Sequence, residues 1–215
     1  MAVSAVLFDN DGTLVDTRES IAQAFHHAFR TVLGAEPSDE ELLRLVGQPL
    51  RTQMEALAPV HADDLLVAYR AYNRVHHDEL IRSFPHTEEA LRRLKERNVK
   101  LAVVTSKMHA LAEHGLELFG LDDYFTLLIG SDDSDRHKPD PGPLIQCARE
   151  LGVASGRCVY VGDSPYDIQA ARGAHMISVA ALWGMFDEDV LEAEQPDFLA
   201  SDILDVVDIV QDIAS

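Results

Sequence analysis

Three apolar runs in this chain end in residues able to do chemistry. After Ala5–Phe8 come Asp9 and Asp11, one residue apart. After Leu101–Val104 come Thr105, Ser106 and Lys107. After Cys158–Val161 come Gly162, Asp163 and, four residues beyond that, Asp167. Between the last two, "RHKPDP" sets Lys138 just ahead of a helix start at Pro139–Pro141. Each feature has an ordinary structural reading. Asn, Asp and Gly favour turns, Thr105, Asp163 and Asp167 can cap helices, and Lys138 and Lys107 can be solvated charges. Gathered in one place, the same residues make a metal and phosphate site. Packed carboxylates repel one another unless a cation sits among them. Oxygen ligands of this kind suit Mg²⁺, which is held by one or two carboxylates, waters and a substrate phosphate. A hydroxyl, an ammonium group and backbone N–H groups at a helix start can hold phosphoryl oxygens. A carboxylate can also act as nucleophile, and a second acid beside it can move protons.

The elements flanking these residues predict that they converge. Val3–Phe8 reads as a buried strand. Thr17 can cap a helix that runs to Leu33 and stops at Gly34, with Ile21, Ala24, Phe25, Ala28, Phe29 and Val32 at the helical period. Ser38 with Glu41 three residues on has the capping-box pattern, and further helices are expected over 50–57 and 61–81. Residues 15–82 therefore read as all-helical. From residue 87 onward, helices alternate with apolar, β-branched runs: strands at 99–105, 125–130, 158–161 and 176–179, with a last helix over 201–213. That alternation predicts an α/β fold, a Rossmann-like doubly wound parallel sheet covered on both faces. Such sheets bind ligands at the carboxyl ends of their strands. The expected organisation is a catalytic core of residues 1–15 and 84–215, with a helical cap of residues 16–83 inserted after the first strand.

Composition narrows the function. The 37 acidic and 18 basic residues give a formal net charge of -19. Such a field repels nucleic acid and anionic lipid, so neither a nucleic-acid partner nor a membrane is expected. No run of about 18 apolar residues is present to span a bilayer, and no secretion signal is seen, which points to the cytoplasm. Cys147 and Cys158 sit in apolar contexts and read as buried thiols. The pairs His26–His27 and His76–His77 fall in helices, where adjacent side chains diverge by about 100°, which is poor geometry for chelation by either pair.

The motifs "DNDGTL", "VVTSK", "HKPDP" and "GDSPYD" resemble, in order, the four motifs of the haloacid dehalogenase-like hydrolase superfamily. The resemblance spans essentially the whole chain. The helical insert is similar to the small cap of the subfamily that holds phosphoglycolate phosphatases and β-phosphoglucomutases. "HHDELI" and "PDF" look like the related inorganic pyrophosphatases. The resemblance implies that Asp9 is nucleophile and metal ligand, forming an aspartyl phosphate. It makes Asp11 the general acid/base, with its backbone carbonyl on the metal. Thr105, Ser106 and Lys138 would bind the phosphoryl group, Asp163 would be a further metal ligand, and Asp167 would support the metal or Lys138. Asn10 is expected to do no chemistry. Arg51, in "GQPLRTQ", is a candidate contact to a distal anion.

The resulting expectation is a Mg²⁺-dependent phosphatase for a small phosphorylated metabolite, phosphoglycolate phosphatase-like, with inorganic pyrophosphate as the alternative substrate. The chain would work as a monomer or homodimer. A phosphomutase is disfavoured because the relatives' early cap histidine has no counterpart before His26. A haloalkanoate dehalogenase is disfavoured because Asp11 is present. A catalytically dead binding module is disfavoured because no motif acid is lost.

Overall fold

The computed structural model describes residues 2–35 and 37–214. The chain opens with β1 (Ala5–Phe8) and a two-residue strand β2 (Val15–Asp16), then climbs through α1 (Arg18–Leu33), α2 (Asp39–Leu43), α3 (Leu50–Leu57) and α4 (Ala62–Leu80). It returns through β3 (Arg82–Ser83), α5 (Thr87–Glu96), β4 (Lys100–Val104), α6 (His109–Leu118), β5 (Leu127–Ile129) and α7 (Gly142–Leu151). It ends with β6 (Cys158–Gly162), α8 (Pro165–Gly173), β7 (Ile177–Ala181), α9 (Glu188–Ala193), β8 (Phe198–Ala200) and α10 (Ile203–Ala214). Six strands form a parallel sheet in the order β5-β4-β1-β6-β7-β8. The expected α/β fold is therefore present.

The sheet's two faces explain the unbroken apolar strands. Val6, Phe8, Val103 and Val161 point into one core, closed by Leu91, Leu94, Val206 and Val207 of α5 and α10. Ala5, Leu7, Val104 and Tyr160 point into the other, closed by Leu144 and Cys147 of α7 and by Ala170 and Ala171 of α8. A strand buried on both sides has no polar-facing register, so it reads as a continuous apolar run. Cys147 and Cys158 are free thiols within the second core.

The crossover fixes where a ligand can bind. β1 lies between β4 and β6, so the chain goes one way to β4 and β5 and then crosses to the other side of β1. Loops leaving β1 and its two neighbours therefore open a crevice at their carboxyl ends. In register, Phe8 stands opposite Val103 on one side and Val161 on the other. The polar residues that follow each of these strands are thereby delivered to one level.

Above the crevice, α1 to α4 pack around Phe25, Leu42, Met54 and Leu65. Phe25 meets Tyr69 edge-on, with ring centroids 5.1 Å apart. This layer touches the sheet domain through Met185, which joins its core, and through Arg18, whose Nη1 donates to the Met185 carbonyl at 3.1 Å.

Several local expectations change in detail. The helical layer is entered and left through β2 and β3, an antiparallel pair with Val15 opposite Ser83 and Asp16 opposite Arg82. Two-residue strands carry no periodicity to read. Thr17 does not cap α1: its backbone (φ -114, ψ 5) lies outside the extended N-cap conformation and its side chain makes no capping bond. Ser38 and Glu41 do form the capping box on α2. α8 starts at Pro165, so Asp167 lies in its first turn, and the short elements α9 and β8 lie where no element was expected.

Candidate active site

Asp9 is the first residue beyond β1, and its N–H donates to the Val161 carbonyl at 2.9 Å, as a strand residue would. Its side chain is no longer in the ladder and turns into the crevice. Asp9, Lys138, Asp163 and Asp167 are 3%, 3%, 2% and 1% exposed, so all four ionisable groups are withdrawn from bulk water. The Lys138 ammonium binds Asp167 Oδ1 at 2.6 Å and Asp9 Oδ2 at 3.0 Å. Tyr160 fixes this ammonium from below: Lys138 Nζ donates to the Tyr160 hydroxyl at 3.1 Å, and that hydroxyl lies 2.9 Å from the Val104 carbonyl. Asp167 has a second task. Its Oδ2 accepts from the Ser164 N–H at 3.0 Å and from the Ser164 hydroxyl at 2.5 Å, so it secures the start of α8.

Asp163 is held by the Met185 N–H at 2.8 Å and by the Thr13 hydroxyl at 3.2 Å. Ligand atoms of Asp9, Asp163 and Asp167 all lie within 4.8 Å of one another. The closeness needs glycines. Gly12 has φ +78, and a Cβ there would stand 2.1 Å from Asp163 Oδ2; at Gly162 a Cβ would stand 2.3 Å from Asp167 Cγ.

Three carboxylates around a single ammonium leave a surplus of buried negative charge. Burial, then repulsion from Asp167 and Asp11, lifts Asp9 to about 7 against the pull of Lys138. Burial, then repulsion from Asp167 and Asp9, drives Asp163 well above the carboxylate range. Acids in this position are stabilised by a divalent cation. Their oxygen donors and their spacing fit a hard ion.

Asp11 is a different kind of acid. Its Oδ1 accepts from Lys107 Nζ at 2.8 Å and from Asn10 Nδ2 at 3.1 Å. Burial raises its pKa, but the charge and hydrogen bond of Lys107 outweigh that, and the net shift is downward. Its carboxylate is not in the three-acid group. The two acids of the first turn are thus held by two different lysines.

Thr105 is buried at the end of β4. Its Oγ1 accepts from the Lys107 N–H at 3.2 Å, and the hydroxyl keeps its own hydrogen to donate. Ser106 is engaged across the crevice, donating to the Gly47 carbonyl at 2.5 Å. A cleft of about 220 Å³ stands over these residues, with Asp9, Asp11, Thr105, Ser106 and Lys107 at its floor and Gly47–Arg51, Tyr69 and Arg70 in its roof. Arg51 is in the roof, but its guanidinium binds Asp63 at 2.9 Å and lies 3.6 Å from Glu55.

Residues 6–181 match the sequence profile of a family described as haloacid dehalogenase-like hydrolase. The chain belongs to the haloacid dehalogenase-like hydrolases. It is 38% identical over 211 residues to a protein of Caldanaerobacter subterraneus provisionally named pyrophosphatase PpaX, covering 98% of this chain and 96% of the relative. It is 33% identical to pyrophosphatase PpaX of Halalkalibacterium halodurans, over 98% of each chain. A solved structure described as a predicted phosphoglycolate phosphatase from Haemophilus somnus is 25% identical with a TM-score of 0.85, covering 97% of this chain and 98% of that one.

As a haloacid dehalogenase-like hydrolase, the chain carries more candidate site residues than its motifs reveal. Lys107, read equally as a solvated charge, is partly buried and paired with Asp11 at 2.8 Å. Asn10, expected to be idle, donates to the same carboxylate. Tyr160 looks like any strand residue until its hydroxyl meets Lys138. Arg70 lines the cleft with no hydrogen-bond or ion-pair partner among the described residues. Its only sequence signal was its place one residue after the core residue Tyr69 on α4, which sets it on an adjacent helical face.

Proposed function

We propose that this hydrolase is a Mg²⁺-dependent phosphatase of small phosphorylated compounds, working through an aspartyl phosphate on Asp9. The observation that carries this reading is the convergence of Asp9, Asp163, Asp167 and Lys138 in one buried group beneath a cleft, with Asp11 and Thr105 beside Asp9 at its floor. Asp9 Oδ attacks phosphorus while the bond to the leaving oxygen breaks, and Asp11 gives that oxygen its proton. Asp11, now a carboxylate, takes a proton from water; the water oxygen bonds to phosphorus as the Asp9–phosphorus bond breaks, and phosphate leaves. Lys138 and the Thr105 hydroxyl offset the charge on the phosphoryl oxygens. Asp9, Asp163 and the Asp11 backbone carbonyl would hold Mg²⁺, with Asp167 steadying Lys138. When bound, Mg²⁺ polarises the phosphoryl group and offsets the surplus charge of the pit.

At rest Asp11 is held ionised by Lys107, which suits a base better than an acid. A substrate anion that competes for the Lys107 ammonium weakens that hold and moves Asp11 toward the protonated form that the first step needs.

Residues 16–83 act as a cap over the cleft in this reading, and cap residues choose the substrate. Inorganic pyrophosphate stands ahead of phosphoglycolate, the reverse of the order expected from the sequence. Support comes from the pyrophosphatase names of relatives matched over nearly the whole chain. The test is an assay panel of pyrophosphate, phosphoglycolate and sugar phosphates with Mg²⁺ and with EDTA. Phosphate release from pyrophosphate should dominate and should stop in EDTA. Equal turnover in EDTA would overturn the metal reading, and a preference for a sugar phosphate would overturn the substrate reading.

A further inference from the structure

Beside the cleft floor and outside its three-acid group, a second group of side chains has donor atoms within 4.8 Å of one another: His77 and Asp78 of α4 and His114 of α6. We propose that these three residues form a separate transition-metal site, for an ion of the Zn²⁺ class, that ties the helical layer to the sheet domain.

The donor atoms are already in place. His77 Nδ1 lies 2.9 Å from Asp78 Oδ1. His114 Nε2 lies 3.0 Å from Asp78 Oδ1 and 3.1 Å from Oδ2. Ligands bound at 2.0–2.2 Å around a tetrahedral ion stand roughly 3.4 Å apart. Each imidazole nitrogen therefore needs to part from Asp78 by only a few tenths of an ångström to admit one, and the two nitrogens already lie within 4.8 Å of each other. Two imidazoles and a carboxylate form a set that suits Zn²⁺ and its neighbours, whereas Mg²⁺ and Ca²⁺ take oxygen ligands. The site is distinct in kind from the all-carboxylate group of Asp9, Asp163 and Asp167.

Its surroundings fit as well. His77 is buried, so its ring is held in place by packing, next to Gly115 of α6. Its Nε2 has no hydrogen-bond partner among the described residues, so it can take the ring's proton when Nδ1 binds the ion. Asp78 and His114 are about half exposed, which leaves a side open for entry and for a water as fourth ligand. His76 is not part of this group. His77 instead finds its partners in the next residue and on another helix, 37 positions on.

The test is titration of the full chain with Zn²⁺ against a coloured competing chelator, in buffer with Mg²⁺ in large excess so that the carboxylate pit is filled. Asp163→Asn serves as the variant in which that pit is damaged, and His76→Asn as a histidine control on α4. Wild type, Asp163→Asn and His76→Asn should each bind one Zn²⁺ per chain with similar affinity. His114→Asn, a half-exposed change that leaves the fold intact, should bind more than about 100-fold more weakly, beyond the ~10–100-fold that loss of an outer partner costs. Zn²⁺ should raise the melting midpoint of wild type and not that of His114→Asn. Saturable binding of equal strength in His114→Asn, loss of binding in Asp163→Asn, or no saturable binding in wild type would each overturn the proposal. None of these readouts depends on turnover, so the proposal can fail while the phosphatase reading holds.

Discussion

The floor and the roof of the cleft are built on opposite principles. At and beneath the floor, Asp9, Lys138, Asp163 and Asp167 are buried: Lys138 ties Asp9 and Asp167 at 3.0 and 2.6 Å, and the Thr13 hydroxyl holds Asp163 at 3.2 Å, each bond joining distant parts of the chain. In the roof, Arg51 is largely exposed and paired with two exposed acids, and Arg70 has no partner among the described residues. Buried polar groups must be satisfied or they cost stability, so the floor tolerates one arrangement. Exposed ion pairs contribute little and can rearrange. The floor is therefore suited to a fixed chemistry, and the roof to the choice of what is brought to it.

The contrast predicts a hierarchy of effects. Asp9→Asn removes the proposed nucleophile and should lower kcat by on the order of 10⁴-fold or more. Acid-quench trapping of labelled phosphate should find it bound to wild type and not to this variant. A label retained by Asp9→Asn would place the nucleophile elsewhere on the floor.

Asp11→Asn should lower kcat by roughly 10²–10⁴-fold, the usual reach of general acid–base catalysis, with Mg²⁺ activation nearly unchanged. The loss should shrink with a good leaving group, which needs no proton. Asp163→Asn should instead shift the Mg²⁺ activation curve to higher concentration. Should the two variants exchange these behaviours, the two acids have been assigned the wrong way round.

On the roof, Arg70→Ala should raise KM for pyrophosphate by roughly 10–100-fold, as for one charged hydrogen bond, and change KM for p-nitrophenyl phosphate little. Arg51→Ala should act in the same direction but by less than about threefold, because Asp63 already holds its guanidinium. The opposite ranking would return the distal anion to Arg51.

The smallest effect is on stability rather than rate. Burial pushes the Asp9 carboxyl up to about 7, above its ordinary value of 3.8, so between these values the folded state binds more protons than the unfolded one. Stability of the metal-free protein should therefore fall as pH rises from about 4 to 7 and level off above. Mg²⁺ competes for the same oxygens, so the melting-point gain from Mg²⁺ should widen from pH 5 to pH 7.5, by about 5–10 °C. Asp9→Asn should narrow that widening, leaving the part that comes from Asp163. A gain that does not vary with pH would mean that the buried acids are compensated without the ion.

The sequence by itself determined the polar ends of three strands, their order, the α/β alternation and the helical insert. Each of these is written in neighbouring residues: an apolar run closed by an acid, a capping serine with its glutamate, a glycine at a left-handed turn. It also carried Asp9, Asp11, Thr105, Lys138, Asp163 and Asp167, because a parallel sheet sends every strand end to the same edge. Only the tertiary structure decided which charges meet. Lys107 reaches Asp11 across 96 positions, Thr13 reaches Asp163 across 150, and Asp78 meets His114 across 36. It also decided that Arg51 is paired and Arg70 is not, and that β2 pairs with β3. No local period encodes such contacts. They follow from strand order and helix packing, and those are set by the burial of the whole core.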